Sequence, residues 1–422
     1  MKRFFKTVIL CALFVVSTTE CMDNQIEVEN IPSTELIGFT ATTTRAVSVD
    51  LPVIKNDATG YRVFATGGNA PVKWYADENA NAIDGTNHHR YDGNKWSFTN
   101  PVKWPKDAGD YPLKFYAVYP AVSAGFLPFN TAFNPTMLAA FYVVPNVGKQ
   151  EDVMAARTTA ARQPASGTVG LVFHHILSKI NFGIIAGTGT VPMIQSVQVE
   201  NAHNKRAFDF VGGDWFGPTD PVVASYLYYG EKPVGGGAIP VFTPAIRNET
   251  TANPIYAGIH GNHLMLLPQT TPSWKPVSGT KPTTTSGGYV CLIYRMNPET
   301  AGEPELVGMD DATQHPDWLT LGNGYTGPLF VKVGFPFPST GGNFTWDKGQ
   351  GYMYNIILGT YNSSNGFIID ENYYDENGDR TNLPLDVIRD EIKKPGDPLN
   401  DGKIHFRLDV SDWDAEVETN LP

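Results

Sequence analysis

Apolar and polar residues alternate along much of this chain with a period of two, the spacing that marks half-buried β-strands. The clearest runs cover residues 113–119, 169–173, 180–184, 290–294, 329–335 and 352–358. The phase of the alternation reverses between residues 173 and 180, which predicts a bulge or a sharp bend around residues 174–178. Gly- and Pro-rich stretches lie between the strands and predict long loops.

Helical periodicity is scarce, and only residues 151–159 and 385–393 each fit two helical turns. The pattern therefore predicts an all-β fold of two β-sandwich domains with long loops and only short helices. A polar stretch at 162–167 breaks both strand and helix. We place a domain boundary there, with an N-terminal β-sandwich domain over 46–165 and a C-terminal one over 166–422.

Composition agrees with this class and excludes several others. Aromatic residues make up 12% of the 422 residues, which is too many for a disordered chain. The net charge of −12, without a Lys/Arg run after the N-terminus, argues against a nucleic-acid partner. The three cysteines are Cys11, Cys21 and Cys291, so neither a disulfide scaffold nor a thiolate zinc site is expected. Cys291 is predicted to be a free structural thiol.

The N-terminus has the form of an export signal. Lys2, Arg3 and Lys6 precede an apolar run at residues 8–16, which is too short to cross a bilayer as a stable helix. Residues 1–20 are therefore interpreted as a signal peptide, and the protein as exported.

Cys21 follows this signal and opens a polar stretch. Its placement resembles that of a bacterial lipoprotein, whose first mature residue is a diacylated cysteine. The alternative is ordinary signal cleavage nearby, which would leave Cys21 a free thiol. Lipidation is favoured because an unpaired cysteine at an exported N-terminus otherwise lacks a purpose.

Histidine clusters do not form a recognisable catalytic or metal motif. The candidates are His88-His89, His174-His175 and the His260/His263 pair. Neighbouring residues on a strand point to opposite faces, so neither doublet can chelate with both rings. The chain contains no HExxH, GxSxG or Walker-type loop. We expect no enzymatic activity and no cofactor, and a secreted hydrolase is the least favoured class.

An acidic loop is a weak calcium candidate. Asp375, Asn377, Asp379 and Asp386 fall at positions 1, 3, 5 and 12 of a calcium-type loop. Gly378 stands at position 4, whereas the calcium loop needs its glycine at position 6. An ordinary acidic turn is therefore favoured over a metal site.

The eight tryptophans raise the question of a carbohydrate platform. They are Trp74, Trp96, Trp104, Trp215, Trp274, Trp318, Trp346 and Trp413. In a β-rich chain, packing in the core or at its rim is the commoner role of such residues. An outer-membrane surface lipoprotein that binds glycans through a β-sandwich, without polymerising, stays as the alternative function.

Arg45 stands apart in sequence. It is the only basic residue between Lys6 and Lys55, and it follows a strand-like piece at 37–41 and a run of threonines. A lone arginine in such a stretch is an accessible site for a trypsin-like protease, which would cut the Arg45–Ala46 bond. The alternative is an exposed arginine in a linker. The region 21–45 is thus a candidate propeptide that carries a removable strand.

The C-terminal region contains a regular amphipathic strand pattern. Ile404, Phe406, Leu408 and Val410 alternate with polar residues, and Trp413 follows. Such a strand either belongs to its own domain or adds to the open sheet of another subunit.

Several segments resemble the fimbrillin family, the subunits of the protease-assembled type V pili of Bacteroidales-type bacteria. The segments are Phe39-Thr40-Ala41 with Thr44-Arg45-Ala46, Trp104-Pro105, and residues 111–120, 150–155, 171–180, 346–354 and 410–413. Their order along nearly the whole chain makes the resemblance moderately specific.

The resemblance implies two transthyretin-like β-sandwich domains and a cell-surface pilus subunit that serves adhesion. It also implies export to the outer membrane as a lipoprotein, with Cys21 lipidated, the Arg45–Ala46 bond cut, and 404–410 in the donor region for strand exchange. The implied partners are other pilus subunits, a trypsin-like maturation protease, the outer membrane before processing, and ligands on host or bacterial surfaces. It does not distinguish stalk, anchor and tip subunits.

Overall fold

The structure is a computed structural model that describes separate stretches of the chain. The described residues are 38–43, 60–67, 72–73, 84–91, 96–98, 104, 112–121, 137–161, 168–186, 190–217, 222–230, 263–276, 282–298, 319–320, 326–327, 330–358, 367–370, 372–375, 379–384 and 404–412.

Nearly all regular structure in these stretches is β-strand. The first strands are β1 Gly38–Thr43, β2 Tyr61–Gly67, β3 Val72–Lys73, β4 Asp84–Tyr91, β5 Trp96–Phe98, β6 Leu113–Tyr119, β7 Met137–Tyr142, β8 Met154–Ala160 and β9 Thr168–His175. They continue with β10 Ser178–Ala186, β11 Thr190–His203, β12 Lys205–Asp209, β13 Asp214–Phe216, β14 Val223–Tyr229, β15 Leu264–Leu266, β16 Gln269–Pro272, β17 Tyr289–Pro298 and β18 Leu319–Thr320. The last are β19 Thr326–Gly327, β20 Val331–Pro336, β21 Asn343–Trp346, β22 Gln350–Leu358, β23 Phe367–Ile368, β24 Asn372–Tyr374, β25 Arg380–Pro384 and β26 Ile404–Asp412. The one helical element in the described part is a 3-10 turn, Val147–Lys149.

The chain divides into two compact units. Strands β1–β6, β8 and β9 as far as His174 belong to the first unit, and β10–β26 with most of β7 belong to the second. The first unit contains one sheet of order β1-β9-β8-β6-β2-β4-β5, with β3 beside β2. Its core is a cluster of buried side chains that includes Phe39, Trp104, Phe115, Leu171 and Phe173.

The second unit is built on a four-stranded sheet, β15-β10-β22-β26, and a five-stranded sheet, β14-β11-β17-β20-β23. Aromatic rings fill the space between them. The ring of Phe182 on β10 lies 5.1 Å from that of Tyr228 on β14 and 5.7 Å from that of Tyr354 on β22. The fully buried Trp346 donates its indole N–H to the Tyr354 hydroxyl at 2.8 Å. Smaller sheets, β13-β12-β7, β16-β21, β18-β19 and β24-β25, complete this unit.

The all-β class predicted from the alternating pattern is confirmed. The runs at 113–119, 169–173, 180–184, 290–294 and 352–358 lie in β6, β9, β10, β17 and β22, and most of the run at 329–335 lies in β20. The predicted bend at 174–178 is also present, because β9 ends at His175 and β10 begins at Ser178.

The helix predicted over 151–159 is wrong. Residues 151–153 have no regular structure, and β8 begins at Met154. Ala155 and Ala156 favour a helix locally, but here they pair with Val118 and Ala117 of β6 and are buried in the sheet. Tertiary packing overrides propensity at this point. The second predicted helix, at 385–393, lies outside the described residues.

The predicted domain boundary at residue 165 differs from the observed division into units. β9 follows that boundary, yet it lies between β1 and β8 in the sheet of the first unit. The polar stretch at 162–167 therefore joins two neighbouring strands of one sheet, and a composition rich in strand-breaking residues suits such a connection equally well.

Candidate functional site

The strand just before Arg45 is an edge strand of the first sheet. β1 pairs in parallel with β9 along its whole length, from Gly38 opposite Thr168 to Thr43 opposite Phe173. The partners are 130 positions apart in sequence (168 − 38). A parallel pair needs such a long connection, because a tight hairpin can join only antiparallel strands.

Two side chains of β1 enter the core of the first unit. Phe39 and Ala41 are only 3% and 4% exposed. The ring of Phe39 meets that of Phe115 edge-on at 5.3 Å, and Phe115 meets Trp104 in the same manner at 5.9 Å. Ala41 stands opposite Leu171, which is completely buried. We call the space that Phe39 and Ala41 occupy, together with the paired edge of β9, the β1 slot.

The β1 slot lies at one end of the first sheet. β1 and β5 stand at the two ends of the strand order, and β1 contacts β5. In the same core, Tyr61 of β2 packs its ring edge-on against Phe173 of β9 at 5.1 Å. Full burial raises the pKa of the Tyr61 hydroxyl well above its ordinary value of 10.0, so the phenol stays neutral. The core behind β1 is thus apolar and uncharged.

The predicted C-terminal strand is also an edge strand, in the second unit. β26 pairs antiparallel with β22 over nine residue pairs, from Ile404 opposite Leu358 to Asp412 opposite Gln350. The positions predicted to be apolar, Ile404, Phe406, Leu408 and Val410, stand opposite Leu358, Ile356, Tyr354 and Tyr352. All four of these partners are buried. The expected strand is confirmed, and in this structure its own domain holds it.

The structure does not describe the residues predicted to be lipidated or cut. Cys21, Arg45 and Ala46 lie outside the described residues. Arg45 is nevertheless fixed in sequence two positions after Thr43, the last residue of β1. A cut at that bond would separate β1 from every later strand of the chain.

Comparison with known proteins decides the family. The family model described as fimbrillin-like matches residues 44–370, which is more than three quarters of the chain. The chain belongs to the fimbrillin-like family. The matched range of this fimbrillin-like protein begins directly after β1 and ends before β26, so both edge strands lie outside it. No curated protein matches the sequence at a significant level.

Several solved structures are similar to this chain at low sequence identity. A fimbrial protein from Bacteroides vulgatus is 14% identical with a TM-score of 0.54, and the alignment covers 90% of this chain and 99% of that one. A candidate cell adhesion protein from Bacteroides uniformis is 14% identical with a TM-score of 0.40, over 91% and 100% of the two chains. A fimbrial assembly protein from Parabacteroides distasonis is 11% identical with a TM-score of 0.35, over 82% and 97%. The first of these likenesses shows that the fimbrillin-like chain has the fold of a fimbrial protein.

The calcium candidate is only partly described. Asp375 and Asp379 stabilise a turn: the Asp379 N–H donates to Asp375 Oδ1 at 2.8 Å, and the Asp375 N–H donates to the Asp379 carbonyl at 2.9 Å. Asn377 and Asp386 lie outside the described residues. Among the described residues, no group of three or more His, Cys, Asp or Glu side chains is arranged to hold a metal ion. A calcium site at this loop stays a prediction.

The histidines and Cys291 have structural surroundings where they are described. His174 is exposed and His175 is buried, as expected for neighbours on a strand. His175 Nδ1 lies 2.8 Å from Asp152 Oδ1, and His263 hydrogen-bonds Asn181. Cys291 is a free, buried thiol, and burial raises its pKa to about 12. His88 and His89 lie on β4, and His260 falls outside the described residues.

Three of the four described tryptophan side chains are buried, and the fourth, Trp215, is half-buried. Trp104, Trp274 and Trp346 are each at most 4% exposed. Trp215 donates its indole N–H to the Ile176 carbonyl at 2.5 Å. The three buried tryptophans are not free platforms for a sugar. Trp74, Trp318 and Trp413 are not described, and Trp96 is described only as part of β5.

Sequence reasoning found both edge strands and missed the partner of the first. β9 was predicted as a strand, but nothing in its sequence indicates that it pairs with β1. No helix in the described stretches combines the length and the apolar character needed to cross a membrane.

Proposed function

We propose that this protein is a non-enzymatic structural subunit of a cell-surface pilus that serves adhesion and assembles by exchange of β-strands. In this proposal the chain is exported to the outer membrane as a lipoprotein through Cys21 and matures by cleavage between Arg45 and Ala46. The observation that carries it is the position of β1, a buried edge strand that ends two residues before Arg45. Membership of the fimbrillin-like family supports it.

Cleavage after Arg45 would turn a complete sheet into an incomplete one. β1 would then be held without a covalent link to the later strands, through its hydrogen bonds to β9, its contact with β5 and its buried side chains Phe39 and Ala41. Its departure would leave the edge of β9 unpaired and expose an apolar slot to water. Unpaired strand edges readily accept another strand, which restores the hydrogen bonds and fills the apolar space.

The same cut would free the chain from the membrane. A lipid on Cys21 precedes Arg45 in sequence, so maturation would leave the anchor on the removed segment. A single proteolytic event would thereby couple release from the lipid with opening of the β1 slot. A trypsin-like protease suits this role because it cuts after arginine.

The C-terminal region that contains β26 is the proposed donor. Its alternating residues Ile404, Phe406, Leu408 and Val410 give it one apolar face. It occupies the edge of its sheet and so can leave or extend without passing another strand. In the polymer, this region of one subunit would complete the first unit of its neighbour.

The decisive experiment is a pair of variants expressed at the bacterial surface. Arg45→Ala is expected to leave a precursor that is not cut and does not polymerise, whereas Lys55→Ala, the matched control, matures normally. N-terminal sequencing of the surface protein should give Ala46 as the first residue of the mature chain. Normal maturation of Arg45→Ala, or a wild-type chain that stays blocked at Cys21, would contradict the proposal and favour a permanently anchored glycan-binding lipoprotein.

The donor role needs a separate deletion. A chain that lacks residues 404–422 is expected to be exported, cut after Arg45 and recovered as a monomer. Its thermal unfolding is measured beside the wild type, because deletion of β26 exposes the edge of β22. Polymers of normal length from a folded deletion variant would refute donation by this region.

A further inference from the structure

The small sheet β13-β12-β7 of the second unit has one face that packs inward. The ring of Trp215 on β13 lies 5.1 Å from that of Phe208 on β12 and 5.6 Å from that of Phe141 on β7. Trp215 also donates its indole N–H to the Ile176 carbonyl at 2.5 Å. Contacts within the unit therefore occupy the inner face of all three strands.

Two aromatic side chains lie on the opposite, outer face. Phe216 and Tyr142 each follow an inward ring by one position, and neighbouring residues of a strand point to opposite sides of the sheet. They are 41% and 36% exposed. Ala207 of the central strand stands opposite Phe216, and Lys205 lies two positions before Ala207 with its Nζ 5.2 Å from the centre of the Tyr142 ring. We call these four side chains the aromatic face.

Lys205 gives the aromatic face a positive charge that no carboxylate of the described residues neutralises in an ion pair. The acidic residues at the ends of β12 and β13 have other partners. The Asp209 carboxylate accepts two backbone N–H groups of its own turn at 2.9 and 3.1 Å, and Asp214 pairs with Lys348 at 2.7 Å. The chain as a whole has a net charge of −12. A positive site on an acidic protein favours a ligand with negative charge.

The size of the aromatic face limits what can bind there. β12 has five residues. With a rise of about 3.3 Å per residue and about 4.8 Å between strands, the three strands cover roughly 240 Å². A stable protein interface needs about 800 Å² from each partner, so this face is too small to hold another subunit by itself. A sheet face also leaves one side of its ligand in water, so the ligand must be small, extended and polar on its far side.

Oligosaccharides have these properties. The C–H groups of a pyranose ring carry small positive charges and pack on the negative face of an aromatic ring, while the hydroxyl groups stay hydrated. Phe216 and Tyr142 lie on the two strands that flank β12, which sets them about 10 Å apart across the sheet. Ala207 between them is small and keeps the surface level. Lys205 is about 6.6 Å further along β12, where it can pair with a carboxylate of a neighbouring sugar.

We propose that the aromatic face binds an acidic oligosaccharide, a chain of uronic acid units. One sugar ring stacks on Phe216 over Ala207, a carboxylate of the next sugar pairs with Lys205, and Tyr142 forms the far rim. This site goes beyond the proposed function, because it supplies a class of adhesion ligand. It involves strands of the second unit only, and it depends neither on cleavage after Arg45 nor on strand exchange.

Isothermal titration calorimetry of the purified full chain with defined tetrasaccharides tests the proposal. The probes are tetramers of galacturonate, mannuronate and guluronate, and the matched control for each is its neutral methyl ester. We expect at least one acidic tetramer to bind, about 5-fold more tightly than its ester at low salt, and added salt should remove this difference. If none of the acidic tetramers binds, or if the esters bind equally well at low salt, the inference is overturned.

Variants of the full chain locate the binding site. Phe216→Ala should weaken binding of the acidic tetramer about 10-fold, whereas Phe216→Trp keeps a stacking ring and should not weaken it. Lys205→Ala should weaken binding of the acidic tetramer about 5-fold and leave binding of the ester unchanged. Val172→Ala truncates an apolar side chain of similar exposure on β9, and this control should change neither affinity. Wild-type affinity in folded Phe216→Ala or Lys205→Ala, checked by thermal unfolding, would refute the assignment.

Two further measurements separate this proposal from its rivals. If light scattering shows a wild-type dimer that Phe216→Ala dissolves, the aromatic face is a contact between copies and the sugar site falls. The uncut Arg45→Ala chain should bind the acidic tetramer as the wild type does. Normal maturation of Arg45→Ala would refute the proposed function and leave the sugar site standing. Failure of a maturation-blocked Arg45→Ala chain to bind any acidic tetramer would refute the sugar site alone.

Discussion

Replacement of Phe39 by alanine should detach β1 without disturbing the second unit. Phe39 is 3% exposed and meets Phe115 edge-on, so its truncation removes a buried ring and leaves a cavity. Phe→Ala substitutions in cores typically cost about 3–5 kcal/mol. An aromatic ring that buries roughly 150–250 Å² gives a similar upper estimate, at about 25 cal/mol per Å².

This loss acts chiefly on the opening of the β1 slot, since β1 is an edge strand that ends next to the proposed cleavage site. At about 1.4 kcal/mol per factor of ten, the equilibrium for detachment of β1 should rise roughly 100- to 4,000-fold. The amides of β1 and of the facing edge of β9 should exchange with solvent faster by a similar factor. Amides of β10 and β22, in the second unit, should keep their rates.

Hydrogen exchange followed by mass spectrometry measures both units in one experiment. Val172→Ala is the matched control, because Val172 lies on β9 but is 42% exposed and its truncation should change exchange little. Unchanged protection of β1 in Phe39→Ala would show that the ring does not hold the strand. Equal acceleration in β10 and β22 would show that β1 is not a separable element, and the idea of a removable strand would then be refuted.

Three further predictions concern the second unit. His175→Ala should lower the free energy of unfolding of this unit by about 2 kcal/mol, because it removes the 2.8 Å contact with Asp152. Asp152→Asn keeps a hydrogen-bond acceptor and should lower it by less than about 1 kcal/mol. Chemical denaturation measures both values, and equal losses would contradict the prediction. Burial raises the pKa of Glu200, and the hydrogen bond from Ser225 and the charge of Lys332 partly offset this rise. The unfolded carboxyl group ionises near its ordinary pKa of 4.5, whereas the folded one ionises only at higher pH, so the folded state loses stability as the pH rises above 4.5. Glu200→Gln should therefore raise Tm at pH 7 but not at pH 4, and a loss of stability at pH 7 would refute the sign. Burial also raises the pKa of Cys291 to about 12, so at pH 8 a thiol reagent should modify this cysteine only when the protein unfolds. Peptide mass spectrometry measures the modified fraction, and rapid modification of the folded protein would contradict the prediction.

Local patterns predicted the strands because alternation is a local property. β9 shows strictly alternating burial from Thr168 to His175, which is the pattern its sequence predicts. β6 and β22 were found in the same way, and so was the bend between β9 and β10. None of these inferences needed to know which strands are neighbours.

Errors arose where distant residues decide the outcome. Residues 151–159 satisfy a helical pattern, yet pairing of β8 with β6 turns them into a strand. The polar stretch at 162–167 has the composition of a linker, and it joins two adjacent strands of one sheet. Pairing between β1 and β9 likewise depends on a sheet order that only the folded chain establishes.

The same non-local pairing explains why β1 is the strand best suited to replacement. Every strand from β2 to β8 in the first unit is connected on both sides to other strands, so none can leave without moving its neighbours. β1 is joined to the rest only through the segment that contains Arg45, and its hydrogen-bonded neighbour is 130 positions away (168 − 38). After a cut at Arg45, the covalent order of β2 to β9 is unchanged. A replacement that keeps the present hydrogen-bond pattern must run parallel to β9, and this fixes the direction from which the next subunit approaches.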